Sequence, residues 1–482
     1  MKTDSRKKTG IWLFYIAAVL IPCVYMLLWY AVQGHSFLAA KPYYSDELGY
    51  WREMFSFSQC GFGFGKGESF AGYDAPTGNL GCHGIAPLLT WGWYALIFPW
   101  KDNSLFIANF VMLTVSIAVL VFLVKPDRKQ MLFILPALLL YAPAALYINT
   151  CMMEIACSSA VIVYTALYLR WREKKEKSVF VLAVIFGVYL AGVRIMYAML
   201  LLPLLWEKVG FGLNKKTVGL FVCFAAGTLG LYALTSRFIA PYPWGFVVAI
   251  RPMPLGMKLS VILSHLWLNT KAYFLLCLTA DTDAAFRWLY LAVIVLFAID
   301  GIKNKENRWR SISVCLVYIA ILFSILLLYD IGQWRDYRIM FPALLFAVLI
   351  VMTDRKMLRG AKGTVLVLTA IAFLITFRTV VKDRAFVFEE RFEPSPDNRA
   401  AFSEVFGDEI ASTVIMDDGD GGFDQIKDIP PQIGVRWLTN VEGVIDSDTE
   451  FIMTDRDDRE VAPEYEFIGR PAEKCYVYKR TK

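Results

Sequence analysis

Charged residues and histidines are scarce in this sequence. Only 19% of the 482 residues are Asp, Glu, Lys or Arg, three are histidines, and 57% are hydrophobic. The mean hydropathy is +0.48, far above that of a soluble globular domain. This composition excludes a soluble globular protein. Apolar runs of roughly 17–25 residues recur along the chain, and that length crosses the hydrocarbon core of a bilayer.

The sequence also lacks the short alternating segments, about ten residues each, that form a membrane β-barrel. Its solid apolar runs predict an α-helical bundle that crosses the membrane several times, because a helix satisfies its own backbone in lipid. No internal repeat and no low-complexity tract is visible. Many transporters have inverted repeats and charged residues inside their spans. The lack of a repeat and the scarcity of charges in the apolar runs therefore argue against a transporter.

Short basic clusters between the apolar runs predict the topology. The first apolar run is too long for the hydrophobic core of a signal peptide, so we interpret it as an uncleaved span with a cytoplasmic N-terminus. If all later basic clusters are cytoplasmic too, about eleven spans are predicted and the C-terminus lies outside. The predicted spans cover residues 11–32, 104–124, 131–148, 155–170, 178–192, 193–206, 216–238, 284–302, 311–329, 338–353 and 363–381.

Two apolar stretches do not fit this count as spans. The first, 83–100, belongs to the first outer loop (33–103), and counting it as a span would move two basic clusters outside. The second, 259–278, belongs to a long outer loop at 239–283. We predict that 83–100 is a helix lying in the outer membrane interface, which its tryptophans favour: Trp91, Trp93 and Trp100.

The last hundred residues differ from the rest. Residues 1–381 form the predicted transmembrane module, whereas 382–482 are polar and acidic, with short strand-like runs such as "STVIMD", "TEFIMTD" and "KCYVYKR" separated by Pro and Gly. We therefore predict a small α/β domain outside the membrane. The segment "DDGDGG" at 417–422 resembles part of a calcium loop but lacks its later Glu, so we interpret it as a turn.

Unusual polar residues gather on the outer face in this topology. Ionisable residues at membrane depth are costly, and they commonly line a cavity or bind a partner. Their clustering at one surface predicts a functional site there. These residues are Asp46 and Glu47 in "YYSDELGYW", Glu154 in "NTCMMEIACSS", Arg194 in "AGVRIMYAM", and Arg335, Asp336 and Arg338 in "GQWRDYRIMFP", with His83 and His265 in outer loops too.

Such residues suit the transfer of a group from a lipid-linked phosphate. A carboxylate can remove the proton of an acceptor hydroxyl, and arginines can bind the phosphate that leaves. Structural roles remain open for each residue. The acidic pair suits a solvated loop, Glu154 a helix cap, Arg194 a side chain that reaches lipid headgroups, and Arg335 an ion pair with Asp336.

Cysteine and histidine patterns add little. Nine cysteines in a chain of this length do not form a disulfide framework. Cys60 and Cys82 both lie in the first outer loop, and a disulfide between them stays open. A zinc site built from His35, His83 and His265 is not supported, because these histidines have no short ligand spacing.

Three short motifs resemble those of the GT-C membrane glycosyltransferases, which include the protein O-mannosyltransferases and the lipid A aminoarabinose transferases. The first is the acidic pair in the first outer loop, "YYSDELGYW". The second is the "HG…PLL…W…F" segment at 83–98, which is similar to the interfacial helix of that family. The third is a late "R…P" element, "RDYRIMFPALL". The resemblance covers most of the chain as architecture but only these motifs as sequence.

This resemblance implies an inverting transfer of one sugar from a polyprenyl phosphate to an acceptor outside the cytoplasm. It implies Asp46 as the general base and Glu47 as a carboxylate that supports it or orients the acceptor. Glu154 resembles the second acidic position of the family. Arg338 or Arg335 would bind the lipid phosphate.

The motifs depart from the family pattern at two places. Gly84 follows His83 where the family usually has Pro, and Ile339 follows Arg338 where Tyr is common. The choice between the two late arginines therefore stays open. The remaining residues predicted to bind substrate are His83, Tyr337 and Arg194.

No required cofactor is predicted, although the predicted catalytic carboxylates could bind a divalent cation. The predicted partners are the polyprenyl-phosphate sugar donor, membrane lipids and an extracytoplasmic glycan, lipid or protein acceptor, without nucleic acid. The predicted location is a bacterial plasma membrane. Two alternatives remain: an O-antigen-type polymerase or ligase, whose catalytic loop usually comes late in the chain, and a polytopic lipid or sugar transporter (a flippase).

Overall fold

The structure is a computed structural model. It describes residues 2–43, 45–63, 86–238, 246, 250–279, 281–331, 337–358, 360–393, 397–417, 422–439, 449–457 and 459–481.

Most of the described chain is α-helical, as the sequence predicts. The helices are α1 (Lys2–Val19), α2 (Ile21–Gln33), α3 (Ser45–Cys60), α4 (Ala86–Ile97), α5 (Ser104–Val124), α6 (Arg128–Leu139), α7 (Ala142–Tyr147), α8 (Met153–Lys174), α9 (Lys177–Val193), α10 (Leu201–Val209), α11 (Lys215–Phe238), α12 (Leu255–Leu276), α13 (Thr282–Lys303), α14 (Arg308–Leu328), α15 (Phe341–Thr353), α16 (Ala361–Lys382) and α17 (Arg399–Phe406).

Six of the described helices are long and apolar enough to cross a membrane. These are α5, α8, α11, α13, α14 and α16. The pair α1 and α2 is bent by 49° at Leu20, just before Pro22, and together it passes the same test. The chain is therefore a multi-pass membrane protein, with six candidate spans in the described residues, or seven if the bent pair is one span.

The predicted count of about eleven spans is not confirmed, because several predicted spans are broken or short. The run 131–148 divides into α6 and α7 at Tyr141, with Pro143 opening α7. The run 193–206 begins as a 3-10 helix, Ile195–Leu200, and only then continues as α10. Helix α15 has 13 residues, so at 1.5 Å per residue it reaches only about 20 Å.

Helices α8 and α15 form the centre of the bundle. Every residue of α15 is buried, and 83% of the most apolar stretch of α8 is buried. The hydroxyl of Tyr197 donates a hydrogen bond to the carbonyl of Ile339, at 2.7 Å. This bond fixes the segment that leads into α15, and Arg338 is part of that segment. This contact with the buried centre of the bundle therefore helps to position Arg338.

The C-terminal residues form a five-stranded sheet, in agreement with the predicted small α/β domain. The strand order is β2-β1-β3-β5-β4; β1 pairs in parallel with β2 and β3, whereas β5 pairs antiparallel with β3 and β4. The three strand-like runs seen in the sequence are β1, β3 and β5. The strands are β1 (Ala411–Asp417), β2 (Ile433–Thr439), β3 (Phe451–Thr454), β4 (Tyr465–Ala472) and β5 (Cys475–Arg480).

Helix α3 connects the bundle to this domain. Leu48 is buried among the apolar residues of the domain core. Arg52 is 2% exposed, and its guanidinium donates hydrogen bonds to four backbone carbonyls of the C-terminal domain. Those carbonyls belong to Ile426, Ile429, Pro430 and Ile433. The helix that begins with the acidic pair is thus fixed to both parts of the protein.

Candidate active site

Four charged side chains form an alternating chain at one end of the bundle. Nη2 of Arg338 lies 3.1 Å from Oδ2 of Asp46, and its Nε lies 4.0 Å from Oε1 of Glu154. The same oxygen of Glu154 accepts a hydrogen bond from Nη2 of Arg194, at 2.9 Å. The structure therefore brings together one acid from the first predicted outer loop and one from the second. It also brings together both described arginines that the sequence singled out.

Helix ends position three of these groups. Asp46 lies in the first turn of α3, and Glu154 lies in the first turn of α8. Arg194 directly follows the last residue of α9. Because the helix dipole favours anions at N-termini and cations at C-termini, each helix end stabilises the charge it carries. Arg338 comes from a short 3-10 helix, Tyr337–Ile339.

The two carboxylates among these four charged side chains differ in their solvent exposure. The side chain of Asp46 is 24% exposed, and that of Glu154 is 2% exposed. Oε2 of Glu154 is buried without a hydrogen-bond partner. Asp46 is therefore accessible to solvent, whereas Glu154 is buried and contacts both arginines.

Glu47 belongs to a different network, although it is the neighbour of Asp46. Its side chain is fully buried, and Oε1 lies 3.0 Å from Nη1 of Arg391. The backbone amides of Cys151 and Tyr43 donate hydrogen bonds to its two carboxylate oxygens, at 3.0 and 3.1 Å. These contacts suit a structural role. The role that the resemblance implies for Glu47, supporting Asp46 or orienting the acceptor, stays a prediction.

Arg391 joins three segments that carry the site. It lies in the 3-10 helix Glu389–Phe392 and is 2% exposed. Besides Glu47, its Nη1 donates a hydrogen bond to the carbonyl of Asn149, at 3.2 Å. Asn149 is in the loop before α8, so one guanidinium fixes the start of α3 relative to the start of α8. Sequence reasoning did not identify Arg391, because a lone arginine in a polar segment has no local signal for a partner 344 positions away.

Several predicted residues lie outside the described residues. These are Arg335 and His83, the side chain of Tyr337, Cys82, and most of 417–422. Cys60 is half-buried as a free thiol. The predictions for these positions stay predictions.

The described residues contain no group of three His, Cys, Asp or Glu side chains placed to hold a metal ion. Asp46 and Glu154 both contact Arg338 instead. The guanidinium supplies positive charge between the two carboxylates. The divalent cation that these carboxylates could bind stays a prediction.

A third carboxyl lies on the same face of α3 as Asp46. Glu53 is seven residues after Asp46, which places both on one side of the helix, together with Tyr50 and Phe57. The Tyr50 ring packs 5.6 Å from that of Trp91 on α4. Glu53 is 8% exposed, and burial raises the pKa of its carboxyl to about 8. Its carboxyl is therefore largely neutral at pH 7.

We expect this carboxyl to make stability depend on pH. Folded Glu53 keeps its proton up to a pH of about 8, whereas the unfolded carboxyl loses it near its ordinary pKa of 4.5. Between these values the unfolded state binds fewer protons, so stability falls as the pH rises, by at most about 1.4 kcal/mol per pH unit. Glu53→Gln should remove this slope. Thermal unfolding in detergent across that window tests the prediction, and identical slopes in both proteins would contradict it.

No family model matches this chain, and no curated protein matches it. Among solved structures, the chain is similar to the archaeal oligosaccharyltransferase AglB from Archaeoglobus fulgidus, solved in complex with an inhibitory peptide and a dolichol-phosphate. The TM-score is 0.45 with 12% sequence identity, and the match covers 87% of this chain and 64% of that chain. A likeness of this degree carries no argument about activity, and this chain spans less than two thirds of the length of that protein.

Proposed function

We propose that this protein is a GT-C-type membrane glycosyltransferase that moves a sugar from a polyprenyl phosphate to an acceptor outside the cytoplasm. The contact between the accessible carboxylate of Asp46 and the guanidinium of Arg338 carries this proposal. Such a reaction needs, within one site, a general base for the acceptor hydroxyl and a cation for the leaving phosphate. The three sequence motifs support the same assignment.

In the proposed reaction, the acceptor hydroxyl attacks the anomeric carbon of the donor sugar. Its proton passes to the carboxylate of Asp46 as the new glycosidic bond forms. The bond between the anomeric carbon and the phosphate oxygen breaks, and the lipid phosphate leaves with that electron pair. Attack from the side opposite the phosphate inverts the anomeric configuration.

The buried pair behind Asp46 positions the arginine. Glu154 contacts Arg194 and Arg338 through one oxygen, so it limits how far Arg338 can move. Arg338 is 24% exposed, and it can turn part of its guanidinium toward the leaving phosphate while Glu154 stays close to Nε. Preorganised charge of this kind lowers the barrier without a reorganisation cost during the reaction.

The test compares cells that lack the protein with cells complemented by the wild type. We expect mass spectrometry of envelope glycans and polyprenyl-phosphate sugars to show two linked changes in the null cells. One glycan substituent should disappear, and one lipid-linked monosaccharide should accumulate. Complementation should reverse both. Unchanged lipid-linked monosaccharides together with longer or shorter glycan chains would favour a polymerase or ligase instead.

A further inference from the structure

Arg287 is a buried cation that the mechanism above does not use. It lies in the second turn of α13, a candidate membrane span, and is 1% exposed. Within the described residues, no hydrogen bond or ion pair reaches its guanidinium, and its Nη1 is fully buried without a partner. Other buried arginines of this chain bind carbonyl or carboxylate oxygens: Arg52, Arg310 and Arg391.

The guanidinium of Arg287 has one aromatic neighbour, Tyr273 of α12. Its Cζ lies 5.3 Å from the centre of the Tyr273 ring, and the hydroxyl of Tyr273 is itself buried without a hydrogen-bond partner. The hydroxyl of Thr282, at the start of α13, is also buried without one. A cation–π contact offsets only part of the cost of burying a full charge. Unpaired charges in membrane spans commonly mark functional sites.

This position lies at the same end of the bundle as the candidate active site. Helix α13 packs against the 3-10 helix that carries Arg338. In the active site, Asp46 and Glu154 already balance the charges of Arg338 and Arg194. These ion pairs offset part of the charge that Arg338 offers an arriving phosphate, whereas no carboxylate of the described residues forms an ion pair with Arg287.

We propose that Arg287 and Tyr273 form a binding site for a phosphate oxyanion. A guanidinium donates charge-assisted hydrogen bonds to phosphate oxygens, and the phenol adds one neutral donor. As it rests on the proposed function, the assigned source of the phosphate is the lipid-linked donor. Arg287 then adds a second cation for binding the donor phosphate, in addition to Arg338 next to the general base.

The test measures thermal unfolding of the purified full chain in detergent with four probes. They are a long-chain polyprenyl phosphate, the polyprenol of equal length, phosphatidylglycerol and inorganic phosphate. We expect the polyprenyl phosphate, and not the polyprenol, to raise the unfolding temperature of the wild type. Arg287→Gln should weaken the affinity for polyprenyl phosphate by about 10-fold or more, because it removes a charge-assisted contact. Tyr273→Phe should weaken it less.

The matched control is Arg308→Gln. Arg308 is exposed at the start of α14, near the opposite end of α13, so the control should bind polyprenyl phosphate as the wild type does. A shift with phosphatidylglycerol or inorganic phosphate that Arg287→Gln abolishes would support the site and identify a membrane lipid or free phosphate as the source. Phosphate binding that survives Arg287→Gln would overturn the site.

Stability without ligand gives a second readout. Arg287→Gln removes an uncompensated buried charge, so the ligand-free variant should unfold at the same temperature as the wild type or higher. A variant that unfolds earlier and still binds phosphate normally would show a purely structural arginine. Binding is measured without sugar transfer, so failure of the transferase proposal would leave an Arg287-dependent phosphate site detectable.

Discussion

Asp46→Asn is expected to lower sugar transfer by about 10²-fold or more while the protein still folds and inserts. Asparagine has nearly the shape of aspartate but cannot take the proton of the acceptor hydroxyl. Asp46 is partly exposed, and its carboxylate touches Arg338 at the surface of the site, so its replacement leaves no buried charge unpaired. The measurement is transfer activity in membranes with matched protein levels, together with recovery of the glycan substituent in complemented null cells.

Asp383→Asn is the matched control. Asp383 is exposed directly after α16, so the same chemical change there should leave transfer unchanged. If Asp46→Asn restores everything that the wild type restores, Asp46 is not the general base. If both variants reduce transfer equally, the loss reflects surface charge. A selective loss at Asp46 with normal unfolding temperature supports the proposed role.

The sequence alone could not separate Asp46 from Glu47. Both are acidic, adjacent and at the start of one helix, so no local pattern shows which of them is buried. In the structure they contact different arginines: Asp46 contacts the accessible Arg338, and Glu47 contacts the buried Arg391. Neighbouring residues on a helix are about 100° apart, and that rotation leaves Asp46 accessible while it buries Glu47.

The fold was predictable where the signal is local. Apolar length predicts α5, α13, α14 and α16, and alternating residues bounded by turns predict β1, β3 and β5. The prediction is not confirmed where a run of suitable length contains a break, as in 131–148, since Pro143 opens a new helix there. A prediction from apolar length alone counts such a run as one span.

The contacts between the bundle and the C-terminal domain could not be predicted. In the sequence, Arg52 is simply one charged residue of a helix. In the structure it donates hydrogen bonds to backbone carbonyls 374 to 381 positions later. Backbone carbonyls are present at every residue, so no residue type marks them as a binding partner. Only the fold determines which carbonyls converge on one guanidinium.

The largest expected effect on stability is that of Arg391→Met. This variant leaves the carboxylate of Glu47 buried without its cation, and breaking a buried pair in this way costs about 3–5 kcal/mol. It also removes the bond to the carbonyl of Asn149. Unfolding of the purified protein in detergent measures the loss. Transfer should fall as well, because the start of α3, and with it Asp46, is no longer fixed relative to α8.

The double variant Glu47→Gln with Arg391→Met distinguishes a positioning role from simple packing. It removes both charges, so it should recover part of the stability that Arg391→Met loses. Transfer should recover less than stability, since no ion pair then joins the start of α3 to the segment of residue 391. The control is Arg355→Met, which breaks an ion pair with Asp127 whose arginine is 70% exposed, and it should cost under about 1 kcal/mol. If Arg391→Met and Arg355→Met lose the same free energy of unfolding, the Glu47–Arg391 pair stabilises the protein no more than a surface ion pair does. The fixed position of Asp46 would then need another cause.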